Sequence, residues 1–405
     1  MRGYRRFFAS FVFLLASLVA GSAHAQLAAG CSCPAGAIIS GSQCVLAGAG
    51  AVVVPAVCTG SSSISQSVRS VAVSQQQLSF SSIQTMLEGR RDQLQSPHLT
   101  AAPLGYANGE ALGYSSTGRA RNAFASIPFK ASPSVAAAGP SWGSWAEGLG
   151  NWQRNSAVAA GDLDHFAETY GAQGGVDATW QSLSAGDDAL VVGLVASWMT
   201  SRVTYDGSPV SLQLKGPGVG LYGTYLRGNF STDLAAKTDF LTMDEAFSGL
   251  SPNASISATN FGVTGNAQYK IMTGTASFVE PTGGFSFTRT DFGGGAAALD
   301  LKDASTLRLQ AGLRFGTSTK IVDTAVEPTL RVLAYDNVVA EGSSIAADTP
   351  GAAIVPTDQG KVRGEIDPAV NFDFENGYSS NISGQVVFGE DLVGGALTAQ
   401  LRKQW

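Results

Sequence analysis

Residues that could carry out catalysis are few, and the two patterns that look catalytic lie in unsuitable contexts. Only two histidines, His98 and His165, follow residue 25, which leaves little material for histidine-based acid–base chemistry. Residues 139–143 match the Gly-x-Ser-x-Gly pattern of a nucleophile elbow, but Pro140 here leads into a predicted strand without the required strand–turn–helix context. Residues 218–223 match the Gly-x-Gly-x-x-Gly dinucleotide pattern inside a predicted strand that no helix follows. We therefore predict neither an enzyme active site nor a cofactor.

All four cysteines, Cys31, Cys33, Cys44 and Cys58, lie in a small Gly-rich segment, residues 26–62. Cysteines can bind zinc, but a Cys-x-Cys pair followed by gaps of ten and thirteen residues matches no common zinc spacing. A secreted chain folds in an oxidising compartment, so we expect two disulfides in one of three connectivities. No metal site is predicted.

Apolar and polar side chains alternate along the C-terminal two-thirds of the chain. Within Thr306–Gly316 one set is mainly leucine and phenylalanine, and the other is arginine, glutamine and glycine. Asn260–Lys270 and Val362–Glu375 show the same alternation. Because successive side chains of a strand point to opposite faces, these stretches predict strands with one apolar and one polar face. Such strands are typical of a transmembrane β-barrel with lipid outside and a polar lumen inside.

The polar set of these strands supplies the candidate lumen residues. Acidic side chains there could form proton or ion sites, but pairing with arginines such as Arg331 and Arg363 is the default interpretation. The predicted lumen-lining residues are Asn266, Gln268, Lys270, Glu280, Arg308, Arg314, Glu327, Arg331, Arg363, Glu365, Asp367 and Asp373.

The composition agrees with a membrane barrel. Charged residues make up 14% of the 405 residues, whereas soluble domains contain about 25%. The 49 glycines would allow sheet curvature and close packing. A soluble two-sheet sandwich is the alternative, but its dry core would not accept a charged face on every strand.

The N-terminus has the three parts of a secretory signal peptide. Arginines precede an apolar run, Phe7–Ala20, and Ala23–Ala25 forms a small-residue cleavage site, which predicts removal of residues 1–25. A lipoprotein acylation box at Leu27–Cys31 is the alternative. No later run reaches the roughly 18 apolar residues that a spanning helix needs. Export together with membrane-type strands predicts the outer membrane of a Gram-negative bacterium.

A polar helix and a linker are expected between the cysteine segment and the barrel. Apolar residues at helical spacing predict a helix over residues 63–96, which would be marginal alone. It is either a spacer or packs on another helix, the barrel interior or another protein. Residues 97–140 are rich in Ala, Gly, Ser and Pro, as linkers are. The linker is basic, through Arg119, Arg121 and Lys130, and the barrel region is acidic, so the linker is a candidate to thread the lumen.

Twelve strands fit the alternation over residues 141–405. We place them near 141–153, 166–181, 189–205, 212–227, 229–243, 256–270, 274–289, 304–317, 321–336, 360–375, 378–390 and 395–405. The connections after odd-numbered strands are predicted to be longer than those after even-numbered strands, apart from the eleventh. This pattern indicates long outside loops and short periplasmic turns, with both barrel ends on the periplasmic side.

Five stretches occur in an order that points to a known family. They are residues 145–151 with an opening Trp and glycines, 170–177, 278–285 with a Glu-Pro pair, 309–316 with Gly-Leu-Arg, and a last strand ending in Trp405. Over residues 141–405 they resemble the β-domain of the autotransporters, the monomeric type V secretion proteins. The region before the barrel contains no repeated β-helix coils of the kind that form long passengers.

The resemblance implies that the last strand is presented to the outer-membrane barrel insertion machinery. Leu397, Leu401 and Trp405 would form this insertion signal, and Lys403 departs from its usual apolar pattern. It also implies periplasmic chaperones and outer-membrane lipid as partners, and a monomer that binds no nucleic acid.

The function that the resemblance implies is an outer-membrane barrel that anchors or translocates a short N-terminal passenger. A plugged pore or structural barrel with a periplasmic N-terminus is one alternative, and a surface adhesin is another. The ligand of any displayed segment is not predicted by these residues.

Overall fold

The computed structural model describes residues 31–32, 37–40, 43–46, 53–54, 57–58, 62–95, 139–156, 164–184, 187–206, 210–247, 255–294, 303–321, 324–341 and 361–405. The predicted signal peptide, most of the alternative acylation box and the linker up to residue 138 lie outside these residues. The described residues up to 58 belong to one compact unit, and those from 62 onward belong to a second.

Twelve long strands follow one another from residue 141 to the end of the chain. They are β1 (Ser141–Asn155), β2 (His165–Gln181), β3 (Asp188–Tyr205), β4 (Val210–Arg227), β5 (Phe230–Phe247), β6 (Ser255–Tyr269), β7 (Ser277–Gly294), β8 (Ala304–Thr317), β9 (Thr324–Glu341), β10 (Arg363–Asp373), β11 (Tyr378–Phe388) and β12 (Leu392–Gln404). Two short strands, Ile271–Met272 and Thr319–Ile321, extend the ends of the hairpins β6–β7 and β8–β9.

The sheet closes on itself. Each long strand pairs antiparallel with the next, and β12 pairs with β1, from Leu392 opposite Asn155 to Gln404 opposite Gly143. Beyond the last pair, Trp142 and Trp405 exchange backbone hydrogen bonds of 3.2 and 3.0 Å. Closure leaves no unpaired sheet edge, which a barrel in lipid requires. The predicted twelve-stranded antiparallel barrel is confirmed.

The two faces of the sheet differ as the alternation predicts. On β8, Leu309 and Leu313 are 46% and 42% exposed on the outer surface, whereas Arg308 and Arg314 are 8% and 1% exposed inside. Soluble proteins bury apolar side chains and expose arginine. This reversed arrangement is stable only when lipid covers the outer surface.

The connections correct one sequence prediction. Residues 342–362, after β9, form the longest connection, and Gly228–Asn229, after β4, form the shortest. However, Asp206–Pro209 after β3 is shorter than Ser182–Asp187 after β2, so long and short connections do not alternate as regularly as predicted. The reason is strand length. β3 and β4 have 18 residues each, whereas about 10 cross a bilayer. The two strands themselves therefore extend beyond the membrane, and the connection between them needs few residues. We call the two ends of the barrel the loop end (connections after odd-numbered strands) and the turn end (connections after even-numbered strands).

Among the described residues, one long helix, α1 (Ser62–Gln95), lies inside the barrel. Its contact with the wall is close: a Cβ added to Gly262 of β6 would lie 2.6 Å from Gln76 Nε2 of the helix. The helix has about the predicted bounds, and the structure gives it the barrel interior as its packing surface. Among the described residues, no helix combines the length and the apolar composition that crossing a lipid bilayer requires.

The described part of the cysteine segment forms two small sheets. Cys31–Ser32 pairs antiparallel with Val57–Cys58, which places Cys31 opposite Cys58. Ala37–Ser40, Gln43–Leu46 and Val53–Val54 form a three-stranded antiparallel sheet.

Candidate functional site

The last turns of α1 are held by buried ion pairs near the turn end. Arg91 is 1% exposed, and its guanidinium binds Asp233 of β5 and Glu280 of β7, the latter at 3.1 Å. Gln268 of β6 donates a further hydrogen bond of 2.7 Å to Asp233. One helix arginine is therefore bound by side chains from neighbouring strands on one side of the lumen.

Two arginines from other strands bind the helix acids. Arg331 of β9 donates to Glu88 of the helix and to Asp367 of β10, both at 2.8 Å. Arg314 of β8 pairs with Asp92 of the helix and also lies 3.4 Å from Glu280. Buried charges are costly unless each is paired, and here positive and negative groups alternate across the lumen.

The ring of charge continues to the turn end. Lys270, just after β6, donates a 2.6 Å hydrogen bond to Asp92 and lies 4.1 Å above the ring of Phe278. On the other side, Arg90 donates to Gln404 of β12 at 2.7 Å and to Thr179 of β2 at 3.2 Å. We call the contacts of Glu88, Arg90, Arg91 and Asp92 with the wall the ionic clamp.

A second buried pair crosses the closure of the barrel. Arg402 of β12 donates two hydrogen bonds, of 2.5 and 2.6 Å, to Asp177 of β2. This contact passes over Gly143 of β1, where an added Cβ would lie 2.3 Å from Arg402 Nη2. Tyr222 donates to Asp177 at 2.9 Å and accepts a 2.6 Å hydrogen bond from Trp145. The glycine lets one ion pair join strands on both sides of β1.

Near the loop end, α1 packs against an apolar part of the wall. Val71 and Ala72 are fully buried there. The wall residues of this cluster, which we call the apolar patch, are Ala167, Val203, Tyr205, Leu212, Leu214, Leu241, Met243, Ile256 and Ala258. The helix is therefore held by apolar packing at one end and by ion pairs at the other.

Polar contacts hold the middle of the helix. Ser79 donates to Gln173 of β2 at 2.6 Å, and Gln76 donates to the backbone carbonyl of Lys237 at 3.0 Å. Asn260 of β6 donates to the carbonyl of Ala72 at 2.8 Å. The many serines and glutamines of the helix thus match a polar wall.

The direction of α1 through the barrel follows from its end contacts. Near its start, Ser70 Oγ lies 3.5 Å from His165 Nε2, at the loop end of β2. At its last residue, Gln95 donates a 3.0 Å hydrogen bond to the carbonyl of Gly228 in the β4–β5 turn. The chain therefore enters the helix at the loop end and leaves it at the turn end.

The structure places the twelve sequence-predicted lumen residues on the inner side of the wall, but it brings only some of them together. Gln268, Lys270, Glu280, Arg308, Arg314, Glu327, Arg331, Glu365 and Asp367 form one network around the ionic clamp. Asn266 instead accepts a hydrogen bond from Gln310. Arg363 pairs with Asp391 near the loop end, and Asp373 ends β10 at the turn end.

The predicted insertion-signal residues lie on the outer surface of the barrel. Leu397, Leu401 and Trp405 are 64%, 57% and 63% exposed. The Lys403 ammonium lies 3.9 Å from the ring centre of Tyr378 and donates to the carbonyl of Asn376 in the β10–β11 turn. Its charge therefore reaches the polar rim, as long basic side chains do at membrane boundaries.

Sequence reasoning missed the charged residues of the helix. Glu88, Arg90, Arg91 and Asp92 fall within five positions of an otherwise almost uncharged helix, and this local concentration was the available signal. Trp145 entered the sequence analysis only as the opening residue of a family stretch, and nothing there indicated its hydrogen bond to Tyr222. Within the described residues, no group of three or more His, Cys, Asp or Glu is arranged to hold a metal ion.

Comparisons with known proteins agree with this geometry. The family model of the autotransporter β-domain matches residues 144–385. The β-domain of the Bordetella autotransporter BrkA is similar over 65% of this chain and 100% of its own, with a TM-score of 0.53 and 16% identity. The translocator domain of NalP from Neisseria meningitidis (TM-score 0.48, 11% identity, 66% of this chain and 90% of that one) is also similar. So is the transport unit of AIDA-I from Escherichia coli (0.46, 12%, 65% and 89%). No curated protein matches the sequence.

Proposed function

The chain belongs to the autotransporter β-domain family, whose outer-membrane barrels anchor or translocate a passenger, and on this premise we propose that residues 26–61 are its displayed passenger. In this proposal α1 is the part of the translocated chain that remains in the lumen. It connects the displayed segment to the barrel and closes the pore.

The direction of α1 carries this proposal. Ser70, near its start, lies at the loop end, and Gln95, its last residue, lies at the β4–β5 turn. Loops of such barrels face the outside and turns face the periplasm. The chain that precedes Ser62 therefore starts on the outer side, whereas the chain that follows Gln95 starts on the periplasmic side.

The same contacts argue against the alternative of a periplasmic N-terminus. A helix that entered from the periplasm and left outside would have its N-terminus at the turn end. Asp233 and Glu280, the wall partners of Arg91, lie near the turn end, so the helix cannot be reversed without separating Arg91 from them. Separating buried pairs costs several kcal/mol (about 3–5 for one pair).

Surface labelling of intact cells tests the proposal. An epitope inserted after Gly60 should be bound by antibody on unbroken cells. The matched control is the same epitope after Gly118, in the linker between α1 and β1, which should be bound only after the outer membrane is opened. Binding at neither position on intact cells would favour the periplasmic alternative, and binding at Gly118 alone would reverse the proposed direction.

We further propose one disulfide connectivity for the displayed segment. Residues directly opposite each other in an antiparallel pair have Cα atoms about 4.5–5.5 Å apart, a separation that a disulfide accepts. Cys31 and Cys58 occupy such opposite positions. This register supports Cys31–Cys58 and leaves Cys33–Cys44 as the second bridge. Peptide mass spectrometry of the unreduced protein should find Cys31 joined to Cys58. Any other partner for Cys31 would contradict the proposed connectivity.

The outer surface of β12 supports a proposed role in assembly. Leu397, Leu401 and Trp405 present an apolar face on the last strand, the part of the barrel that the insertion machinery would receive. Replacing Trp405 with Ser should lower the amount of folded barrel in the outer membrane. The folded fraction is measured by heat modifiability, the difference in gel mobility between heated and unheated samples. Replacing the equally outward-facing Trp152 with Ser is the control for loss of an exposed tryptophan.

A further inference from the structure

One buried acid of the lumen wall lacks a basic partner. Glu147, near the middle of β1, is 6% exposed and contacts α1 inside the lumen. Its Oε1 atom accepts hydrogen bonds from the Ser82 hydroxyl of the helix and from the side-chain amide of Gln173 on β2. Within the described residues, no basic side chain forms an ion pair with this carboxyl group, so neutral donors alone bind it.

The strands on either side of β1 bring no free charge to this contact. Directly opposite Glu147 lie Gln173 of β2 and Gln400 of β12, and both are uncharged. The first charged residues reached from there along the two strands are Asp177 and Arg402. These two residues are hydrogen-bonded to each other, so their charges are already compensated.

Along α1 and β1 the surroundings are also neutral. On α1 the charged residue closest in sequence to Ser82 is Glu88, whose carboxylate accepts a hydrogen bond from Arg331. On β1 the neighbours that face inward on either side of the unpaired acid are Trp145 and Leu149, and both are buried. None of these described contacts therefore supplies a cation to the carboxyl group.

The acids of the ionic clamp are bound differently. Asp233 is paired with Arg91, and Asp92 is paired with Arg314. An ionised carboxylate that is buried without a cation is so costly that such a group takes up a proton instead. A protonated carboxyl group needs no opposite charge and still accepts hydrogen bonds through its carbonyl oxygen. The two donors at Glu147 Oε1 fit this form, in which Oε1 is the carbonyl oxygen and Oε2 carries the proton.

We propose that Glu147 is protonated while α1 closes the lumen and that loss of this proton favours release of the helix from β1. The closed barrel keeps the carboxyl group away from water and so favours its protonated form. A barrel in which water reaches Glu147 favours the ionised form. Because the closed state binds the proton more tightly, rising pH shifts the equilibrium toward the open state. The proposal rests on the proposed function only in requiring α1 to close the pore.

Conductance of the full chain in planar lipid bilayers with potassium chloride tests this proton dependence. The pH is varied from about 5 to about 9, above the ordinary titration range of glutamate. The conductance of the unmodified protein should rise with pH, by at most about tenfold per pH unit because one proton is released. Glu147→Gln keeps a neutral acceptor oxygen and cannot ionise, so most of this rise should disappear. Glu168→Gln is the matched control, because it removes an exposed carboxylate from β2 and should leave the rise unchanged.

Urea titrations of the barrel in vesicles report the charge of Glu147 independently of conductance. The unfolded chain ionises this residue freely, so a protonated Glu147 makes the unmodified protein less stable as the pH rises. Glu147→Gln does not lose stability in this way. Its folding equilibrium constant should therefore increase relative to that of the unmodified protein, by up to about tenfold per pH unit.

Two results would overturn the proposal. One is a conductance of Glu147→Gln that rises with pH as steeply as that of the unmodified protein. The other is a Glu147→Gln barrel that is less stable than the unmodified protein across the pH range, or that fails to fold, because Glu147 would then act as a stabilising charged group. Neither result bears on the direction of display, which the two epitope positions test independently.

Discussion

The two ends of α1 are held in the same lumen by opposite kinds of contact. At the loop end, Val71 and Ala72 lie on the apolar patch. At the turn end, Glu88, Arg91 and Asp92 lie in the ionic clamp. Apolar contact depends on buried area and has no preferred direction, whereas charge-assisted hydrogen bonds require set distances and angles. The apolar end therefore contributes adhesion, and the charged end fixes the rotation and depth of the helix.

The position of each kind of contact follows from its surroundings. The loop end opens to salt water, where exposed ion pairs are screened and worth little. Apolar packing does not depend on that screening. At the turn end, the helix and wall exclude water from Arg91, Arg314 and Arg331, so loss of a partner there leaves a charge without compensation.

Removing the whole of α1 takes away the apolar and the charged contacts together. Deletion of residues 62–95 should produce the largest effect, a change from a nearly closed barrel to a wide ion-conducting pore in planar bilayers. Deletion of residues 100–130 is the control, since the remaining linker still joins Gln95 to Ser141, both at the turn end. If the linker deletion opened the pore instead, the basic linker and not α1 would be the plug.

Removing only a charged contact of the ionic clamp should have the next largest effect. Arg91→Met leaves Asp233 and Glu280 without their shared cation and should lower the free energy of unfolding by about 3 kcal/mol in urea titrations of the barrel in vesicles. Arg154→Met is the control, because Arg154 pairs with Asp206 at 2.6 Å where both side chains are more than half exposed. Equal effects of the two substitutions would mean that the ionic clamp is not desolvated.

The pair that crosses the barrel closure can be tested without changing a charge. Gly143→Ala places a methyl group 2.3 Å from Arg402 Nη2 and should separate Arg402 from Asp177. The expected loss is about 2 kcal/mol of unfolding free energy, measured in the same titration. Gly148→Ala on the same strand has no atom within 4 Å of the added carbon and should be silent. A silent Gly143→Ala would show that Arg402 reaches Asp177 by another path.

The smallest effect is expected at the apolar end. Val71→Ala removes two methyl groups from a fully buried site and should cost about 1 kcal/mol of unfolding free energy. Val73→Ala, a half-buried residue beside a polar cleft between helix and wall, is the control and should cost less. High salt adds a further test: the Arg154→Met effect should fall, whereas the effects of Arg91→Met and Val71→Ala should not, because salt screens exposed charges and neither buried ion pairs nor apolar contacts. A Val71→Ala effect that fell equally would contradict the assignment of this end to packing.

Much of the fold could be read from the sequence because lipid imposes a strict rule on side chains. Every strand must turn an apolar face outward, so the alternation in Thr306–Gly316 fixed both the strand and the faces of Arg308 and Leu309. The number of strands followed from repeating that reading to Trp405. The loop lengths were less predictable, because β3 and β4 are longer than a membrane crossing needs and leave only four residues of sequence between them.

The site was predicted only in part. The alternation identified Glu280, Arg314 and Arg331 as inward-facing residues, since facing direction is a property of one strand. It gave no partner for any of them, because Arg314 meets Asp92 across 222 positions of sequence. Nothing in the sequence indicated which wall residues Glu88, Arg91 and Asp92 would contact, because those contacts depend on the closed barrel.

The sequence by itself determined which residues face lipid and which face the lumen, because the period of a strand and the solvent on each face are local properties. Only the tertiary structure decided that α1 occupies the lumen, in which direction it runs and which charges meet there. Those outcomes depend on closing twelve strands into one ring, which brings residues from distant parts of the chain within hydrogen-bond distance of a single helix.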